Sequence, residues 1–176
     1  MPGSKRPARE GGPRVGGIAF LLAQIGAHAA GRFAERIAAL ELTPPQAGLL
    51  RALANEPGRS QQAVARQLGV PPSRFVMLVD SLEERGLVQR LRSRDDRRSY
   101  GLHLTDAGEQ MMRELGVVGK AHEDEICAGL TSVDRAALHA ALVHIAQTQG
   151  LTPGVHPGYR QLGARGTGLR PGQLES

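Results

Sequence analysis

The hydrophobic period of this chain changes once, at residues 87–104. On either side, apolar residues recur every three or four positions, the spacing of one helical face. Within the window, LVQRL and YGLHL read as strands, and the intervening RSRDDRRS is too polar to be anything but an exposed loop. Directly upstream, PPSRFVMLVDSLEER at 71–85 reads as a helix that Gly86 stops. The stretch 71–105 is therefore a helix, a strand, an arginine-rich hairpin tip and a returning strand, and the rest of the chain is arranged around it.

Before it, Ile18, Leu21, Leu22, Ile25, Ala29, Phe33, Ile37 and Leu40 follow helical spacing over 18–40, with His28 one residue off the stripe. Thr43 offers an N-cap, and Pro44 and Pro45 are tolerated in a first turn, so a second helix runs from there to before Pro57-Gly58. Ser60 caps SQQAVARQLGV, in which Val64, Ala65 and Leu68 form the buried side and Gly69 suits a left-handed ending. Helix, short glycine-containing turn and helix make a helix-turn-helix, a pattern that ordinary bundles share. The basic-tipped hairpin that follows makes it a winged helix.

Thr105 caps a long helix over 105–130, whose Met111, Leu115, Val118, His122 and Ile126 approach a heptad seam. Thr131 or Ser132 caps a last helix with Leu138, Leu142, Ile145 and Gln149 on one face. Their apolar surface, with that of the first helix, exceeds what a small winged core can cover, which points to pairing of two copies. The expected fold is mostly α with a small β-hairpin wing. It comprises a flexible basic arm (1–17), a helical dimerisation module (18–42 and 105–149), a winged helix-turn-helix (43–104) and a Gly/Pro-rich tail (150–176). In the arm, Arg6, Arg9 and Arg14 either follow phosphates or are simply solvated. In the tail, Val155 and Tyr159 either dock on a partner subunit or belong to an extended, disordered segment.

Composition narrows the function classes. The net charge of +5 comes from 22 Lys+Arg against 17 Asp+Glu, nearly all of the cations being arginine. That excess suits nucleic acid or an anionic surface equally, so its position matters more than its size. The arginine, alanine and glycine bias looks like a GC-rich bacterial genome. A single cysteine, Cys127, excludes an internal disulfide framework and suits a reducing cytoplasm. IAFLLAQIGA is too short for a membrane span, and the N-terminus lacks the apolar core of a signal peptide. No phosphate loop, nucleophile elbow or clustered acid–base pair argues for an enzyme, and no cofactor is expected.

The chemistry-bearing residues fall in three groups. On the 71–85 helix, Phe75, Leu78, Val79 and Leu82 face the core, leaving Ser73, Arg74, Val76, Met77 and Ser81 outward or marginal. Arg74 suits bidentate readout of guanine, or else holds a phosphate or lies solvated; Val76 and Met77 suit thymine methyls. Ser60 and Gln61 open a helix whose N-terminus favours phosphate, or Ser60 simply caps it. Arg92, Arg94, Arg97 and Arg98 crowd the hairpin tip beside that reading helix, where phosphate is the natural partner of a charge run. A helical dimer or adaptor that keeps the wing fold would not need those arginines.

LTPPQAGLLRAL, SQQAVARQLGV and LVDSLEERGLVQR, followed by DDRRSYGLHLTDAG, resemble the MarR family of bacterial transcriptional regulators, in element order over about 18–149. The resemblance implies a homodimer that binds near-palindromic double-stranded DNA, typically as a repressor, many members leaving it on binding a small, often phenolic, ligand or on cysteine oxidation. It also implies that Asp96 and Arg98 form the family's Asp-x-Arg wing motif, in which the acid orients the arginine. The family's ligand cavity lies where the dimerisation helices meet the winged part, making Phe20, His28, Phe33 and Met112 effector candidates. A redox- or metal-responsive regulator is the alternative. Against it, Cys127 lies far from the N-terminal helix, beside Glu123 and Glu125 that disfavour a thiolate, and helical geometry spreads His122-Glu123-Asp124-Glu125 around the cylinder, so no metal site is expected.

Overall fold

The computed structural model describes residues 16–92, 100–156 and 159, within which the chain forms six helices and one antiparallel hairpin. The N-terminal arm with Arg6, Arg9 and Arg14 and the wing tip with Arg94, Asp96, Arg97 and Arg98 lie outside the described residues. In chain order come α1 (Ile18–Ala38), α2 (Pro44–Asn55), α3 (Gln61–Leu68), α4 (Pro72–Glu84), β1 (Val88–Arg92), β2 (Tyr100–Leu104), α5 (Asp106–Ile126) and α6 (Ser132–Thr148). Mostly helical architecture with a small wing is what the periodicity predicts.

Local chemistry sets most boundaries. At α2 the Thr43 side chain accepts from the Gln46 amide, while Gln46 Oε1 accepts from the Thr43 N–H at 2.9 Å, a reciprocal capping box ahead of two prolines. Thr131 forms the same reciprocal box with Asp134 at α6, while the Ser60 and Thr105 side chains cap α3 and α5 by accepting from the Ala63 and Gly108 amides. Gly69 ends α3 at φ 67°, a left-handed conformation that a side chain would disfavour.

The hairpin pairs Val88 with Leu104 through to Arg92 with Tyr100. A third segment joins it that the hydrophobic pattern did not announce. Gly58 N–H donates to Leu102 O at 2.9 Å, and Leu102 N–H to Arg59 O at 3.0 Å, so the loop ahead of α3 runs as an edge beside β2. The wing is thereby fastened to the first helix of the helix-turn-helix.

Phe75, Val79 and Leu82 of α4 close the core over Leu49, Leu50 and Leu53 of α2, Val64 of α3, and Val88 and Leu102 of the hairpin, all buried. Ile37 of α1 and Leu115 of α5 join from the long helices. The α5 seam read as a pairing surface faces this same core, Met111 and Val118 packing on it. In contrast, α6 buries no residue, and Leu138, Leu142, Val143 and Ile145 are exposed, as are Ile18, Phe20, Leu22 and Ile25 of α1. Composition also predicts an extended tail from residue 150, and at Val155 and Tyr159 the chain departs from that. Val155 packs against the core, and Tyr159 is 4% exposed on α2, because burying an aromatic ring outweighs the glycine and proline content around it.

Candidate nucleic-acid interface

α4 presents the face that its periodicity predicts. Phe75 and Val79 point into the core, while Ser73, Val76 and Met77 stand out, Met77 at 71% exposure, and Arg74 is half-buried beside them. Pro71 caps the helix without a side-chain hydrogen bond, which leaves its first turn open at the outward end. Ser81 turns inward instead; its hydroxyl donates to Leu78 O at 2.9 Å and accepts from Gln46 Nε2 at 3.1 Å, joining α4 to α2.

The predicted phosphate contacts divide. Ser60 Oγ accepts from the Ala63 amide at 3.2 Å as a cap. Gln61 Oε1 accepts from Arg90 Nε at 3.4 Å, so that side chain is engaged with β1. Arg92 is exposed at the end of β1, at the root of the wing tip.

Arg90 is the residue that sequence reading passed over. Its two terminal nitrogens pair with Asp80 and Glu83, one turn apart on α4. One guanidinium thus ties the reading helix, the helix before it and the wing strand. The signal was present in two carboxylates spaced i, i+3 on the flank of α4, but their partner lies across a turn and a strand register that periodicity does not reveal. Arg85, in the LEERGLV segment, donates to Glu41 O at 2.7 Å and Leu40 O at 3.2 Å, where Glu41 holds a positive φ of 55°. It binds the C-terminal end of α1 to the end of α4.

A cleft of about 210 Å3 opens between α1, α2 and α5, lined by Phe33, Ala47, Arg51, Met112, Leu115, Gly116 and Gly119. Of the four effector candidates, Phe33 and Met112 line it. Phe20, 59% exposed, and His28, also exposed, do not: both side chains face outward from α1 rather than into the cleft. Arg51 was missed because one arginine on an amphipathic helix carries no distinguishing pattern. Next to the cleft the His122 ring packs on Phe33 at 5.5 Å between centroids. Burial, then the Arg36 guanidinium, holds the His122 imidazole below its ordinary value.

Cys127 is half-buried, and its thiol donates to Glu123 Oε1 at 3.5 Å. Burial and then that carboxylate push its pKa up, the opposite of what a reactive thiolate needs. Among the described residues no three His, Cys, Asp or Glu side chains converge as a metal site would require, and no helix is long and apolar enough to cross a membrane.

The model of the MarR family matches residues 40–99. A transcriptional regulatory protein assigned to the hcr operon of Thauera aromatica is 34% identical over 143 residues, 81% of this chain and 86% of that protein. Among solved structures, the transcriptional repressor CouR bound to a 23-mer DNA duplex is 35% identical with a TM-score of 0.65, covering 73% of this chain and 92% of that one. The Mycobacterium tuberculosis MarR family protein Rv2887, in complex with salicylic acid, is 27% identical with a TM-score of 0.61, over 74% of this chain and 97% of that one. Sequence, fold and the outward face of α4 thus agree: this chain belongs to the MarR family of transcriptional regulators and is not an enzyme.

Proposed function

We propose that the chain acts in the cytoplasm as a homodimeric repressor. Each subunit lays α4 in the major groove of one half of a near-palindromic operator. Ser73, Arg74, Val76 and Met77 meet the bases, and Ser60, Gln61 and the wing arginines Arg92, Arg94, Arg97 and Arg98 meet the backbone, with Asp96 orienting Arg98. The observation that carries this is the polar and apolar outer face of α4, where Ser73, Val76 and Met77 stand exposed, in a chain 35% identical to a DNA-bound repressor. Release follows when a small aromatic acid or phenol enters the cleft at Phe33 and Met112, where Arg51 meets its anionic group. Salicylic acid in Rv2887 supports that chemical class.

Footprinting on the DNA upstream of the protein's own gene tests the proposal. Two protected half-sites about one helical turn apart are expected, with protection lost on adding salicylate. Arg74→Ala should flatten preference at one base pair by about 1–3 kcal/mol, and Arg51→Ala should keep the footprint while losing the salicylate response. A single short protected segment would overturn the dimeric mode, and a footprint indifferent to salicylate the effector.

A further inference from the structure

Helices α1 and α4 end in the same way, and they end together. At α1, Glu41 N–H donates to Ala38 O at 2.9 Å and Leu42 N–H to Ile37 O at 3.2 Å. At α4, Gly86 N–H donates to Glu83 O at 2.8 Å and Leu87 N–H to Leu82 O at 2.9 Å. Both are Schellman endings, each with a left-handed residue, Glu41 at φ 55° and Gly86 at φ 68°. Such an ending satisfies some of the last carbonyls and leaves the others without a helical partner. At α1 that partner is Arg85, the C-cap residue of α4, whose guanidinium donates to Glu41 O at 2.7 Å and Leu40 O at 3.2 Å. Two helix C-termini, each carrying partial negative charge, thus share one half-buried cation.

Other polar ties of α4 stay within the winged part: Ser81 joins it to Gln46 of α2, and Arg90 joins it to β1. Arg85 leads instead to α1, the helix whose Ile18, Phe20, Leu22 and Ile25 are exposed. We propose that Arg85 is a positioning residue for operator recognition: it fixes the pitch of α4 against α1 and so sets the separation of the two reading helices in the dimer. A planar guanidinium suits this role, because two donors in a rigid fork fix an angle that a single contact leaves free. The inference rests on the dimeric reading proposed above.

Its test uses duplexes that carry the two footprinted half-sites at their native separation, or one base pair closer or farther, with a single half-site as reference. The unaltered chain should favour the native separation. Arg85→Ala should bind the single half-site as the unaltered chain does but lose about tenfold of that preference, a factor on the scale of one hydrogen bond. Arg85→Lys, which keeps the charge without the fork, should recover part of it. Should Arg85→Ala fold poorly, its combination with Glu41→Gly takes its place, since glycine relaxes the left-handed residue and leaves both carbonyls present. A second measurement needs no DNA. Spin labels at Met77→Cys in a Cys127→Ala background report the distance between the two α4 helices by pulsed electron resonance, and Arg85→Ala should broaden it. An unchanged spacing preference, or an equal loss on single and paired half-sites, overturns the positioning role. No spacing preference and no label-to-label distance in the chain that keeps Arg85 would overturn the dimeric reading itself.

Discussion

Arg90 is a basic residue of the winged segment whose guanidinium is engaged within the chain. Both its terminal nitrogens face carboxylates and its Nε reaches Gln61, so three of its five N–H donors are engaged within the chain. Its role is to fix the wing strand against α4. Arg90→Ala is expected to weaken operator binding while leaving the salt dependence of affinity unchanged. Arg92→Ala, at the exposed end of β1, should lower the log–log salt slope by about 0.9, the share of one neutralised phosphate. Fluorescence anisotropy at several salt concentrations distinguishes the two, and a reduced slope in Arg90→Ala would contradict the positioning role. His122 makes a second residue-level prediction. Its buried Nδ1 has no hydrogen-bond partner among the described residues, and its pKa is depressed, so the folded chain binds its proton less readily than the unfolded chain. Stability from this group is therefore complete above the ordinary histidine value of 6.5 and declines as pH falls below it. His122→Gln should flatten that part of the pH–stability curve; an identical slope in denaturant titrations between neutral and mildly acidic pH would refute it.

At the scale of elements, the junctions carry more information than the helices. Arg85 satisfies carbonyls at the C-terminal end of α1, and it does so where Glu41 takes a left-handed backbone that non-glycine residues rarely adopt. Arg85→Ala should cost about 1.5–3 kcal/mol, the range for hydrogen bonds involving a charged group, and lower the melting temperature measured by circular dichroism. α5 meets the wing at Gly108, where a side chain would collide with Leu87 O, which explains a glycine in the LTDAG segment. Gly108→Val is expected to destabilise by about 1–3 kcal/mol through overpacking, again read as a lowered melting temperature. Capping and helix spacing at these places were legible in the sequence, because each cap joins residues three apart. The Gly58–Arg59 edge beside β2 was not, since it has neither strand length nor alternation.

The whole molecule divides its apolar surface between two uses. The winged core with the inner face of α5 is closed within one chain, whereas α6 and the start of α1 leave Leu138, Leu142, Ile145, Ile18 and Ile25 exposed. Surface of that kind on helices from both ends of the chain is what a second copy would cover. Leu138→Glu with Leu142→Glu should shift the protein to monomer in sedimentation equilibrium while leaving the winged core folded, and should weaken two-half-site binding more than binding to one half-site. Retention of a full dimer would assign the interface elsewhere.

Periodicity, caps and the polar loop between two strands were enough to determine the helix order, the winged helix-turn-helix and the outward face of α4. These depend on interactions within about four residues, which a linear reading resolves. Tertiary structure alone decided which arginines are paired and which exposed, that Phe33 and Met112 but not Phe20 and His28 border the cleft, and that Tyr159 returns to α2. These depend on how packed elements meet rather than on local pattern: Tyr159 and Pro45 are 114 residues apart, and Arg90 reaches Asp80 and Glu83 only across a turn and a strand register.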